Sequence, residues 1–135
     1  MAAYWLLKTE PHEYSFADLV RDGETPWDGV RNAAAQKNMR AMAVGDPCLI
    51  YHTGDERAAV GQAVVTRAAY PDPADPSGRW CLVDVRAGAP LRRPVPLASL
   101  RGDARFAAGP LVRQGRLSVV PLSEAEWSAL LALGA

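Results

Sequence analysis

A chain of 135 residues, read as one domain over residues 1–135, is long enough to bury a sizeable core without staples. Fifteen basic and fifteen acidic residues cancel to zero formal charge, which excludes a non-specific nucleic-acid coat that would live on phosphate neutralisation. Two cysteines, Cys48 and Cys81, exclude a disulfide framework; reduced, apolar side chains are expected, and a single bridge between them stays open.

The chain opens with AYWLLKT, a buried-strand pattern closed by Glu10-Pro11, and without the plan of a signal peptide or a membrane span. A cytoplasmic protein with no membrane partner is the expectation. SFADLVRDG predicts a short helix, with Ser15 as N-cap, Asp18 completing a capping box and Gly23 ending it. TPWDG is a turn, after which Asn32 caps a helix running to about Met42. Gly45-Asp46-Pro47 turns into a strand over Cys48–His52, and ERAAVGQAVVTRAAY predicts a second, longer strand.

PDPADPSG, with three prolines and a glycine in eight residues, is a loop. RWCLVDVRAG follows as a strand with Cys81, Val83 and Val85 on one face and Trp80, Leu82 and Asp84 on the other. The three prolines of PLRRPVPL confine that stretch to a sheet edge or an extended connector. LASLRG predicts a helical turn, GRLSVVPL a short strand, and SEAEWSALLALGA a closing helix with Ser123 and Glu126 as its capping box. Short strands interleaved with helices, never in βαβ rhythm, predict an α+β fold: a small, mostly antiparallel β-barrel with helices packed around it.

Charge is distributed less evenly than its sum. Arg92 to Arg116 holds six arginines and one acid, Asp103, so one part of the surface can face phosphates while the whole stays neutral. Phosphate loops, dinucleotide fingerprints and nucleophile elbows are missing from the chain. Cys48 and His52 share a strand face but lack further ligands, so no metal is expected. Glu10, Glu13 and His52 are the available acids and bases for a reaction on a nucleobase or nucleotide.

Four tryptophans are many for this length. Trp5, Trp80 and Trp127 lie in apolar segments and are expected in the core. Trp27 stands among turn residues, where its ring either folds back as a plug or lines a pocket wall. Flat aromatic faces hold isolated bases, whose edges are then read by hydrogen bonds. Trp27, Asn32, Ser15, Tyr51, His52 and Arg31 supply the residue types such a reader needs.

Four blocks, YWLLKTEPHEYSFADL, WDGVRNAAAQKNMRAMAVGD, YHTGDERAAVGQAVV and GPLVRQGRLSVVPLSEAEW, resemble the EVE domain in order and spacing from Tyr4 to Trp127. The resemblance implies a PUA-like fold and a non-catalytic module that reads a modified base, such as 5-methyl- or 5-hydroxymethylcytosine in DNA, or a modified RNA base, without a cofactor. It also implies site residues. Trp27 would form the pocket wall, with Asn32, Ser15, Tyr51, His52 and Ser118 around the base. Lys8, Arg31, Arg113 and Arg116 would make phosphate or polar contacts, Gln114 stands beside them, and Thr53 keeps a hydroxyl. A monomer is expected, and replacing Trp27 by alanine is expected to abolish selective binding with little loss of stability. An enzyme of modified nucleobases and a small-molecule-binding domain remain the alternatives.

Overall fold

A computed structural model describes residues 3–135. Its strands are β1 (Tyr4–Thr9), β2 (Glu24–Trp27), β3 (Pro47–His52), β4 (Ala58–Pro71), β5 (Cys81–Pro96) and β6 (Val119–Leu122). The helices are α1 (Phe16–Asp22), α2 (Ala33–Ala41), α3 (Leu97–Arg101), α4 (Pro110–Arg113) and α5 (Glu124–Leu133). The expected caps form. Ser15 and Ser123 each accept from the backbone three residues on, and Asp18 and Glu126 reach back in reciprocal capping boxes.

All six strands join one sheet in the order β2-β5-β4-β3-β1-β6. Only the β1–β3 pair is parallel, so the sheet is mostly antiparallel, as the strand pattern predicts. Register shifts in the β3–β4 and β4–β5 ladders bend it. Among the described residues no ladder joins β2 to β6, and α2 bridges the gap instead. Its Asn38 amide donates to Val119 O on β6, while the buried Gln36 exchanges hydrogen bonds with Cys81 N and O on β5. No described helix is long and apolar enough to cross a membrane.

Two elements depart from the sequence reading. TPWDG is a turn only from Asp28 onward, because Glu24–Trp27 pairs with Val83–Arg86 as an edge strand. Pro26 has no N–H to donate, and an edge position tolerates that. The proline-rich stretch is a sheet edge, as expected: it continues β5 and its ladder runs on one side only, with β4. A single helical turn, α4, starts with Pro110 at its first position and escapes any periodicity test. Both cysteines are buried and free, which settles the open bridge.

One contiguous apolar cluster fills the interior, with Leu6, Leu7, Leu49, Ile50, Phe106 and Leu130 fully enclosed. Asp46, also buried, ties the start of β1 to the α2–β3 turn. Its carboxylate accepts from Ala3 N, Ala43 N and Trp5 Nε1 at 3.3, 2.9 and 2.9 Å. Trp5 is therefore core, as expected, and Trp127 stacks on Tyr4 with ring centroids 5.2 Å apart. Trp80 is not: it precedes β5, is half-buried, and lies under Arg31 and Arg79.

Candidate functional site

A cleft of about 630 Å³ opens where the parallel strands β1 and β3 end, a size typical of ligand pockets. Lys8 and Thr9 close β1, Thr53 follows β3, and Gly115, Arg116 and Ser118 lead into β6 on the far side. The ladder extends to this rim, since Lys8 N donates to Ser118 O and Thr53 N donates to Thr9 O, both at 2.9 Å. The remaining wall runs from Thr25 through Trp27 to Arg31.

Trp27 is the last residue of β2, opposite Val83, so its backbone is fixed by the sheet. The chain turns immediately afterwards through Gly29, whose φ of 75° falls in the left-handed region that favours glycine. Only 6% of Trp27 is exposed, and Tyr14 meets its ring edge-on at 6.2 Å and 83°. Trp27 thus belongs both to the core and to the back wall of the cleft, resolving the plug-or-wall alternative in favour of both. Its burial corrects one expectation: truncation to alanine removes a core side chain. Among the described residues the Trp27 indole N–H donates to no protein group, yet it is not among the buried polar atoms left without a partner.

Three cations line the cleft. Lys8 Nζ donates to Gly115 O at 3.0 Å and lies 5.5 Å from the centre of the Tyr51 ring. Burial lowers its pKa below the ordinary lysine value. Arg31 reaches Asp72 at 3.4 Å, rather than the neighbouring Asp28, and covers the Trp80 ring at 5.2 Å. Arg116 is exposed and in no ion pair among the described residues. Three acids offset them: Glu10, Glu13 and Asp28, all exposed.

Five residues expected at the pocket do not line this cleft. Asn32 caps α2, its side-chain oxygen accepting from Ala35 N at 3.0 Å. Ser15 is held by the α1 capping box. Tyr51 is buried beneath Lys8, and its burial raises the phenol pKa. His52 accepts from Phe16 N through Nε2 at 3.0 Å, which leaves its ring proton on Nδ1, 2.9 Å from Glu56. For Asn32, Ser15 and His52 a backbone N–H takes up the polar atom, and Tyr51 is enclosed in the core. Arg113, with Gln114, faces a separate groove. Trp27, Ser118, Lys8, Arg31 and Arg116 do line the cleft, as does Thr53.

Tyr14, Thr25 and Thr9 were not singled out by the sequence, because nothing in their spacing links them to Trp27. Tyr14 donates to Asp22 at 2.8 Å, and burial followed by that bond raises its pKa. Glu10, His12 and Glu13 bring one ligand atom each within 4.8 Å of one another, but all three are exposed, and Glu10 pairs with His12 at 3.3 Å. Cys48 lies buried, its thiol pushed up to about 12 chiefly by desolvation, which opposes the thiolate a metal needs.

Comparison with known proteins gives one consistent result. The EVE domain model matches residues 3–133. Human thymocyte nuclear protein 1 is 32% identical over 168 aligned residues, covering 98% of this chain and 74% of that protein. The solution structure of Rpa0253 from Rhodopseudomonas palustris superposes with a TM-score of 0.92 at 41% identity, covering 98% of this chain and 93% of the other. The crystal structure of human THYN1 protein in complex with 5-methylcytosine-containing DNA superposes with a TM-score of 0.87 at 29% identity, covering 98% of each chain.

Proposed function

The chain belongs to the EVE family, and from that premise we propose that it is a non-catalytic module that binds DNA and takes a modified cytosine into the Trp27 cleft. The human relative in complex with 5-methylcytosine-containing DNA supports the ligand class. The observation that carries the reading here is Trp27, an aromatic wall fixed by the β2–β5 ladder, with an unpartnered indole N–H and Tyr14 set at right angles to it. A base extruded from a duplex costs a few kcal/mol to expose. Stacking returns about 1–3 kcal/mol, and hydrogen bonds to the base edge add to it.

The charges of the cleft suit a cytosine edge, which pairs an amine donor with ring and carbonyl acceptors. Glu10, Glu13 and Asp28 offer acceptors for the amine, while the Trp27 indole and Ser118 offer donors; the Thr53 hydroxyl is already spent on Thr9 O. Lys8 and Arg116 stand on the opposite side, placed for a phosphate. Zero net charge accords with a reader whose affinity comes from the pocket rather than from a general field. The exposed carboxylates favour binding over catalysis, since a general acid at neutral pH is normally a carboxyl made weak by burial.

The test is calorimetric titration with duplexes and single strands identical except for one 5-methyl- or 5-hydroxymethylcytosine, using wild type and Trp27→Leu. Wild type should prefer the modified DNA, and Trp27→Leu should weaken that binding roughly tenfold or more and erase the preference. Equal affinity of wild type for modified and unmodified strands would overturn the reading. An RNA strand of the same sequence that binds more tightly would reassign the ligand class. Recovery of a chemically altered base after incubation would replace the binding module by an enzyme.

A further inference from the structure

Beside the cleft lies a second concavity of about 610 Å³, between α2, α4 and the start of β6. We propose that this groove carries the phosphodiester backbone of the same DNA strand whose base enters the Trp27 cleft, with Lys37 and Arg113 as its phosphate contacts. The inference rests on the base-reading assignment above and extends it to the flanking nucleotides.

Three observations converge on it. The groove has two cations, Lys37 and Arg113, and no carboxylate in its wall. Both side chains are exposed, and neither takes part in an ion pair or hydrogen bond among the described residues. Some exposed arginines elsewhere are engaged, as Arg21 is with Asp18 and Asp22, and Arg105 with Asp103. Others, such as Arg92 and Arg93, are in no ion pair among the described residues; what sets Lys37 and Arg113 apart is that both line one acid-free concavity. Two unpaired cations facing an acid-free hollow make a local positive field in a chain of zero net charge.

The groove also adjoins the cleft. One short segment forms the ridge between them: Gly115, Arg116 and Ser118 face the cleft, while Arg113, Gln114 and Leu117 face the groove. The start of α2 divides the same way, with Arg31 on the cleft side and Ala34, Lys37 and Asn38 on the other. A strand leaving the cleft past the exposed Arg116 therefore meets Lys37 and Arg113 next. Asn38 spends its amide N–H on Val119 O, which orients the side chain against β6. Leu117 and Pro121 supply apolar surface for the sugars. The groove is accordingly backbone-reading, and it adds affinity without adding base selectivity.

The experiment compares wild type with the Lys37→Ala/Arg113→Ala double variant across a salt series, by anisotropy of a labelled DNA carrying one central 5-methylcytosine. Each phosphate contact contributes about 0.9 to the slope of log affinity against log salt. The double variant should lose about 1.8 from that slope and bind roughly tenfold more weakly or worse near 0.1 M salt. Its ratio of affinities for modified over unmodified DNA should match wild type. Binding of the mononucleotide 5-methyl-dCMP, too short to reach the groove, should not change. The charge-preserving exchange Lys37→Arg/Arg113→Lys should keep the wild-type slope.

An unchanged slope and affinity in the double variant, with wild type still selective, would sink the backbone track alone. A double variant that loses mononucleotide binding in proportion would also sink it, by placing the effect in the cleft. Should wild type bind no DNA at all, the base-reading assignment and the track fall together.

Discussion

Trp27 and Trp80 share a neighbour, Arg31, which lines the cleft beside one ring and covers the face of the other. They are held in opposite ways. Trp27 is locked into the β2–β5 ladder, packs edge-on against Tyr14 and is 6% exposed. Trp80 sits in front of β5, half-buried, with Arg31 and Arg79 at 5.2 and 5.6 Å from its ring. A ring that must meet a ligand in a fixed pose needs the first arrangement, because pre-organisation removes the ordering cost at binding. A ring held by flexible guanidinium groups covers surface but sets no geometry.

The sharpest way to break this comparison is to truncate each ring. Trp27→Ala should cost about 3–5 kcal/mol of unfolding free energy, as loss of a buried tryptophan does. Trp80→Ala should cost only about 1–2 kcal/mol, the scale of two partly exposed cation–π contacts. Urea unfolding of both variants measures the difference. Equal losses would mean that Trp80 is as much a core residue as Trp27. Because Trp27→Ala disturbs the fold most, the less severe truncation Trp27→Leu, checked for stability alongside, is the variant for binding.

A smaller effect is expected between the two rings, at Asn32. Its side-chain oxygen already accepts from Ala35 N, so Asn32→Ala should cost about 1 kcal/mol through the lost cap. Preference for a modified base should survive. Asn32→Asp, which keeps the cap, should restore stability, and it separates the two roles cleanly. Selectivity lost in both variants while stability returns in Asn32→Asp would put the amide back at the base edge.

That residue shows where sequence reading succeeds and where it stops. The helix start at Asn32, both capping boxes, the strand over Cys48–His52 and the edge nature of the proline stretch are local signals, and each appears in the fold. The site is different, because Asn, Ser and His satisfy a backbone group as readily as a ligand. Ser15 and Asn32 went to helix N–H groups, and His52 to Phe16 N. Orphan N–H groups at a helix start are near-obligatory demands, so a polar residue placed there is usually spent. Asp46 is the converse case: a turn-type residue by sequence, it became a buried acceptor because Trp5 and Ala3, 41 and 43 residues away, converge on it together with the nearby Ala43 N–H. Tyr14 could be tied to Trp27 only once α1 and β2 were placed side by side. Such partnerships are long-range and leave no periodicity to read.

The finest test of the cleft lies at Lys8, which lines it together with Trp27. Its ammonium is half-buried and its strongest protein contact is the neutral Gly115 carbonyl, 3.0 Å away. Desolvation therefore holds the folded pKa below the unfolded value of 10.5. The charged form is the disfavoured one, so this residue costs stability at neutral pH, and the cost disappears as pH rises through the folded pKa toward 10.5. A phosphate brought beside it reverses the balance by favouring the charge. Titration of the Lys8 side-chain resonances by NMR should show a midpoint below 10.5 in the free protein and an upward shift with bound DNA. Arg116 is exposed and in no ion pair among the described residues, and stands as the alternative phosphate contact. A Lys8 midpoint unmoved by DNA would place the phosphate on the Arg116 side of the cleft and leave Lys8 as a structural strut between β1 and the Gly115 carbonyl.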